Sequence, residues 1–552
     1  MDSRNFWIFS AIMILFLVWS HYFTDSPPKP ADGGSKPAHS SPPPSSAPSP
    51  SGPAGPLHDV PTGQVRVDTP KYTAILDERG GRLVSFKLKD YNIRKLRKNL
   101  PDEKMELVAQ PKPLDRPLRL TLYGADPPAL LEEAPFLANV KTLNLSAGET
   151  GRLELTFDNQ AGLIVNKILT FSADTYLVRQ QVVFKSGLDW EGQLIHRFNS
   201  APFQKDQGGR HGGLGAVVNR RLMTESAKDA PAELEKIKGQ EVSWIGYMDQ
   251  YFLTAMIPEK ADSAGPQAFR AILQDHGGLA LAESRPLRLV PGVQAVFHFD
   301  FYYGPKGKAD LLSAGHALDL SVDMGWFAFI AGPLAALLRF IYGWVGNYGL
   351  AIIIVTILIK IVLWPLTAKS YRSMKEMQKL QPKVAKIREK YAGDREALNR
   401  EIMRLYKTFK VNPLGGCLPM LLQIPFFIAF YQVLDSLLEL RGAPFILWIN
   451  DLAAPERLGS LNFTIPFFDP PTGLPVLTIM MGLSMFIQQK MTPNTMGDPL
   501  QAKIMMMMPL IFTFILINMP AGLVLYWLVN NILSIGQQTL INRPEKRETP
   551  AS

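Results

Sequence analysis

The spacing of apolar positions along this 552-residue chain changes character from segment to segment. Residues 6–23 (FWIFSAIMILFLVWSHYF) form one apolar run between Arg4 and Asp25, about the length that a bilayer demands. That charge order predicts a membrane anchor with its N-terminus in the cytoplasm. A cleavable signal peptide would need small residues behind the run, where Trp19, His21 and Tyr22 stand instead. Residues 24–56 are crowded with Pro, Ser, Gly and Ala and hold almost nothing that could enter a core, which predicts an extended, disordered linker. From 57 to 320, apolar and polar positions alternate in short runs such as "QVRVDT", "RLVSFKL", "RLELTF", "YLVRQQVVF" and "QAVFHFDFYYG". Period two with frequent Gly, Asn and Asp breaks predicts a sandwich of antiparallel strands, outside the cytoplasmic membrane.

Beyond residue 320 the apolar runs lengthen to the scale of membrane spans: 325–345, 342–366, and about 415–434, 473–489, 504–518 and 521–538. Topology selects among them. The stretch 366–411 carries thirteen Lys and Arg against five Asp and Glu, so it belongs in the cytoplasm. With 24–320 outside, an odd number of crossings must precede it. Residues 342–366 supply that crossing, and 321–341 become an amphipathic helix lying in the interface. The turns near Lys490 and Lys503 and the tail at 542–552, with Arg543, Lys546 and Arg547, fall on the cytoplasmic side, while 435–472 holds only Arg441 and Arg457. The reading totals six spans, at 1–23, 342–366 and four within 413–541, with both termini in the cytoplasm.

The basic stretch 367–412 is itself patterned. Met374, Met377, Leu380, Val384, Ile387 and Tyr391 recur at spacings of three and four, "AGD" at 392–394 marks a turn, and Leu398, Ile402, Leu405 and Phe409 repeat the pattern. An antiparallel helical hairpin follows, with apolar stripes that pack or receive a partner. A solvated positive loop that serves topology alone is the simpler alternative.

Composition narrows the chemistry. The single Cys417 excludes an internal disulfide framework and a multi-cysteine metal site. All eight histidines precede residue 320, so the apolar half has none for a metal or a proton relay. No phosphate loop, zinc-protease motif or nucleophile elbow occurs, and "GPKGK" at 304–308 is too short for the first of these. His196 and His298 lie in strand-like runs and read as satisfied sheet residues. What the spans do hold is Lys360, inside "VTILIKIVLWPLT" (355–367), where a central lysine costs about 2.5–3.5 kcal/mol. Thr356 stands one turn before it on the same face, and Gln423, Gln432, Ser484, Gln488, Asn518, Asn530 and Asn531 add further polar positions. Lys360 either snorkels to the cytoplasmic end past Pro365 or lines a wet, protein-enclosed groove. The runs 473–489, 504–518 and 521–536 amount to about 22–26 Å of helix against a hydrocarbon core near 30 Å, which would thin the bilayer locally. Met480, Met481, Met485 and "IMMMM" (504–508) add a soft apolar surface able to fit varied partners.

Five stretches carry a resemblance: "YYGPK" (302–306), "VNPLGGCLPMLLQIPFF" (411–427), "RGAPFILWINDL" (441–452), "DPLQAKIMMMMPLIFTF" (498–514) and "PAGLVLYWLVNNILSIGQQ" (520–538). Together they resemble the YidC membrane-protein insertases of Gram-negative bacteria, relatives of the mitochondrial Oxa and chloroplast Alb insertases. The resemblance implies a multi-pass α-helical protein of the inner membrane, with a five-span insertase core, an extra N-terminal anchor and a large periplasmic all-β supersandwich akin to sugar-mutarotase folds. It implies a membrane protein insertase and chaperone, not an enzyme, with no cofactor and no metal. Its partners would be nascent membrane proteins, the Sec translocon, ribosome or targeting factors at the basic loop and tail, and membrane lipid, without specific nucleic-acid binding. The implied groove opens to the cytoplasm and the lipid. Lys360 takes the place of its positive residue, with Thr356, Gln423, Tyr526, Trp527 and Asn530 around it, while Phe427 and Met481 belong to the surface that meets client spans. Two positions depart from the pattern: the charge is usually Arg, and Trp527 stands where a second Tyr is common. A small-solute transporter and a periplasmic scaffold with a membrane anchor are the rival classes.

Overall fold

The computed structural model describes residues 63–92, 103–108, 116–123, 131–187, 189–200, 212–226, 232–238, 241–258, 266–274, 277–284, 287–391, 393–409, 411, 418–459, 473–491 and 499–542. The expected anchor and the Pro/Ser-rich linker lie outside them. The chain divides into two compact units, one ending at Ser321 and one running from Val322.

The first unit is built from β-sheets. Its central strand, Gln294–Pro305, pairs antiparallel with Leu177–Ser186 on one side and Phe252–Pro258 on the other, inside the largest sheet among the described residues. Period two puts Phe297, Phe299, Phe301 and Tyr303 on one face of this strand, which is why the run "QAVFHFDFYYG" reads so cleanly. That face meets two further sheets. Phe198, on Trp190–Ser200, stacks on Phe301 at 5.6 Å, and Phe86, on Arg82–Asn92, stacks on Tyr303 at 5.1 Å. The result is an aromatic core between layers, the sandwich expected from the alternation. Among the described residues, pairing is antiparallel except between Gln64–Asp68 and Thr142–Asn144.

Buried cations, Lys167, Arg82 and Arg119, set the polar interior of this unit. Lys167 is fully buried, and its Nζ donates to the carbonyls of Gly80 (2.7 Å), Gly81 (3.2 Å) and Leu118 (3.0 Å). Burial, with the Arg82 and Arg119 charges behind it, pulls its pKa down to about 7, while the three carbonyls hold the proton on the nitrogen. Arg119 in turn pairs with Glu132, which also takes Arg197 at 3.2 Å.

His196 is fully buried, with rings of Phe299 and Phe301 against it at 4.7 and 5.3 Å, and Nε2 donates to Gln180 Oε1 at 2.7 Å. It is the hydrogen-bonded sheet residue that its position in the chain suggested. Burial first, and the Lys167 charge second, push its pKa from 6.5 to about 3. Between those values the unfolded chain carries a proton that the folded one lacks, so stability falls as pH drops through that window. His196→Gln, which retains a donor toward Gln180, is expected to flatten that decline. Thermal unfolding at pH 7 and pH 4 checks it, and an unchanged acid loss would contradict it.

The second unit is helical: α1 (Ala328–Val345), α2 (Tyr348–Lys379), α3 (Gln381–Lys390), α4 (Arg395–Thr408), α5 (Leu418–Ser436), α6 (Val476–Met491), α7 (Pro499–Leu516) and α8 (Ala521–Asn542). Among the described residues, α1 and α2 are the helices long and apolar enough to cross a membrane. Gly346 ends α1 in the left-handed region (φ 64°), and Asn347 starts α2 by accepting from Leu350 N at 3.1 Å. Gly349 lets the loop side chain of Phe445 approach, since a Cβ there would lie 2.1 Å from its ring.

α2 does not stop at the basic stretch but runs 32 residues, through Pro365. Its C-terminal turns and α3 together make the first limb of the hairpin. Met377, Leu380 and Val384 bury against Tyr406 of α4, with Ile402 and Leu405 beside it. The turn at "AGD" ends in Asp394, whose carboxylate caps α4 by accepting from Glu396 N and Ala397 N, both at 3.0 Å.

Helix lengths in part differ from expectation. α6 has 16 residues, about 24 Å, as the apolar run suggested. α8 has 22, about 33 Å, where a stretch of 521–536 predicts a short span. The apolar run ends there but the helix does not, because Gln537 and Gln538 find partners on neighbouring helices.

Candidate functional site

The site forms along α8, which packs against α2 and α6. Asn530, Asn531, Ser534, Gln537 and Gln538 recur at helical spacing and so share a face. All five are buried. Lys360 of α2 reaches this face. Its Nζ donates to Asn530 Oδ1 at 3.2 Å and to Ser534 Oγ at 2.6 Å, and the residue is only 8% exposed. Both acceptors are neutral. Ser534 donates its own hydroxyl hydrogen to the Asn530 carbonyl at 2.7 Å, accepts from the ammonium, and shares a hydrogen bond with Tyr371. Thr356, one turn before Lys360, is buried on the same face and donates to Ile352 O at 2.7 Å.

The polar seam continues away from Lys360. Gln537 Nε2 donates to Thr367 Oγ1 at 2.8 Å, Asn531 Nδ2 to Ser484 Oγ at 3.0 Å, and Gln538 Nε2 to Met491 O at 2.8 Å. Burying five polar side chains is tolerable only with partners of this kind. Ser534, Thr367, Gln537 and Gln538 were absent from the residues singled out in the sequence. Counting on by four from Tyr526 through Asn530 reaches Ser534, so the signal was there.

An aromatic patch adjoins this face. Gln423 shares a hydrogen bond with Tyr526, which stacks on Phe430 at 4.5 Å. Phe427 meets Trp527 edge-on at 4.6 Å, and Phe512 lies 5.6 Å from the same indole. Phe427 and Trp527 are half-buried. Met481, expected on the same surface, is fully buried, whereas its neighbours Met480 and Leu483 are among the exposed side chains of that helix. The helical turn simply points it inward.

At the other end of these helices, a loop closes over the start of α8. Ala521 N and Gly522 N donate to Ala454 O (2.8 Å) and Leu452 O (2.9 Å). Glu456 accepts from Val476 N and Leu477 N, both at 3.1 Å, and from the Trp448 indole, so an anion caps the N-terminus of α6. Burial nevertheless holds its carboxyl above the usual range. Arg457 donates to Ile517 O (2.8 Å) and Asn518 Oδ1 (3.0 Å), placing a cation at the C-terminal end of α7. Among the described residues, no cluster of three or more His, Cys, Asp or Glu could hold a metal ion.

Comparison with known proteins covers nearly all of this architecture. Residues 64–337 match the YidC periplasmic domain family and residues 340–548 the 60Kd inner membrane protein family. A membrane protein insertase YidC of Pelobacter propionicus is 41% identical over 87% of this chain and 86% of its own, and one of Geotalea daltonii is 40% identical over 86% of each. A solved structure described as an active YidC insertase with the first transmembrane domain resolved is 17% identical, with a TM-score of 0.37 over 86% of this chain and 92% of that one. With its relatives named insertases and both of its units matched, the chain belongs to the YidC family of membrane protein insertases.

Proposed function

We propose that this protein inserts and helps fold proteins in the cytoplasmic membrane, alone or with the Sec translocon, through a groove open to the cytoplasm around Lys360. The observation that carries this reading is the buried ammonium of Lys360 held by two neutral oxygens. A charge at that depth is expensive unless it does work. A polar tail of an incoming protein enters beside Lys360, whose charge and polar neighbours partly replace the solvation lost from water. The client's apolar span then passes along Phe427 and Trp527, with Met480 exposed nearby, into lipid. Burial of roughly 20 apolar residues drives the step without a nucleotide.

The topology that fits is six spans with both termini cytoplasmic: the N-terminal anchor, α2, α5, α6, α7 and α8. α1 lies in the interface, a placement supported by its exposed Phe329, Phe340 and Trp344, with Trp326 just ahead of it. The α3–α4 hairpin would receive clients, ribosome or targeting factors on its basic surface. A photoreactive side chain at 427 or 480 is expected to crosslink to the apolar span of a stalled client, and one at buried 481 much less. Equal, background-level crosslinking at all three would overturn the groove route.

A further inference from the structure

Among the described residues of the helical unit, Leu447 is the one non-glycine whose backbone lies in the left-handed region (φ 56°). That conformation is costly for a leucine. Its side chain stands away from the fold: Leu447 is 81% exposed, and Ile446 before it 53%. In water such a tip would be unfavourable twice over, through backbone strain and through exposed apolar surface. Strain of this kind persists where something else offsets it, and taking a leucine side chain out of water is an effect of the required size.

The loop that carries the tip is well braced. Phe445 N donates to Ile449 O at 2.9 Å and Ile449 N to Ile446 O at 3.1 Å, which closes the turn, and the Trp448 indole donates to Glu456. Asn347 Nδ2 donates to the carbonyls of Pro444 (3.3 Å) and Phe445 (3.2 Å). These bonds fasten the loop to the corner between α1 and α2, where Tyr342 and Tyr348 stack at 3.9 Å. Exposed apolar side chains stand on both sides of that corner, Trp344 at the end of α1 and Leu350 in the first turn of α2. From Leu350 the exposed apolar surface of α2 continues through Ile357, Leu358, Ile361 and Val362, the side that a membrane-crossing helix turns to lipid.

We propose that Ile446 and Leu447 form an apolar tip that dips into the outer leaflet of the membrane, with the acyl chains of its lipids as the partner. The inference rests on the topology above, which places this loop outside, and adds a lipid contact at the outer end of α2. Lipid fits because the tip continues the apolar surface of α2. Residues 444–449 also carry no charge, and Trp448 is of the type enriched where acyl chains meet headgroups.

The experiment attaches a fluorophore to a single cysteine of the full chain, with Cys417→Ser, in vesicles whose lipids are brominated near the top of their acyl chains. Asn450, exposed on the same loop, is the comparison site. The label in Leu447→Cys is expected to be quenched by brominated lipid several-fold more strongly than in Asn450→Cys, and to lose most of the quenching by aqueous iodide that Asn450→Cys shows. Ile446→Cys, outside the left-handed region, gives the same pattern and stands in if Leu447→Cys disturbs the loop. Equal iodide quenching at 447 and 450, without a response to bromine, overturns the proposal by placing the tip in water. Protection from both quenchers also overturns it, with a protein surface as the cover instead of lipid. A membrane-impermeant thiol reagent separates these failures from that of the topology. Modification of Asn450→Cys from outside upholds the topology whatever 447 does, and modification from the cytoplasmic side alone overturns topology and proposal together.

Discussion

Lys360→Met is expected to slow insertion of an acidic-tailed client about 10- to 100-fold while leaving the protein at least as stable as wild type. The rate loss corresponds to one charge-assisted hydrogen bond, about 1.5–3 kcal/mol. The stability side runs opposite, because methionine fills a similar volume and removes a buried charge that no carboxylate compensates. Ser534 keeps the bond it donates to the Asn530 carbonyl, while its hydroxyl oxygen and the Asn530 amide oxygen both lose the lysine as a donor, a cost smaller than that of the buried charge removed. Lys360→Arg retains the charge and should keep most of the rate, although a planar fork cannot sit on the same two oxygens as a compact ammonium. Insertion kinetics and thermal unfolding on the same preparations test both halves. A variant that loses stability and activity together would make Lys360 a structural residue.

Lys167→Met is expected to have the opposite profile. Three buried carbonyls, of Gly80, Gly81 and Leu118, lose their donor at once. Each is worth about 1–3 kcal/mol when left unpaired, and relief from burying the cation offsets part of the sum. A net cost of about 3–5 kcal/mol remains, a large share of a domain's usual 5–15. All three acceptors sit on backbone in the left-handed region, with φ of 74°, 55° and 70°, so the lysine also holds together turns that the chain does not favour, Leu118 above all. Thermal unfolding of the β-sheet signal should fall by about 10 °C. A shift below about 2 °C would show that the carbonyls find other donors.

These two lysines illustrate what was legible in the sequence and what was not. Lys360 stands out because it is the one charged residue inside the long apolar run 350–366, and such a residue in a span signals a site. Lys167 sits in "LIVNKILTFS", an ordinary alternating strand where an inward-facing lysine looks like a solvated one one residue out of register. Its partners are backbone carbonyls of residues 80, 81 and 118, and no side-chain pattern announces them. The β-strands were readable wherever period two was clean, as at Gln294–Pro305. Helix ends were less so: α2 and α8 outrun their apolar runs because polar residues at their ends pair with neighbouring helices, a tertiary effect. The burial of Met481 was not legible for a related reason. Methionine marks an adaptable surface in composition, but the turn of α6 decides which one is exposed.

The most direct test of the whole account is insertion of a short, acidic-tailed membrane protein into liposomes that contain only this purified protein. The account predicts insertion well above that of empty liposomes, without nucleotide, and its loss in Lys360→Met. Insertion no faster than into empty liposomes would contradict it and turn the groove into a scaffold's interior.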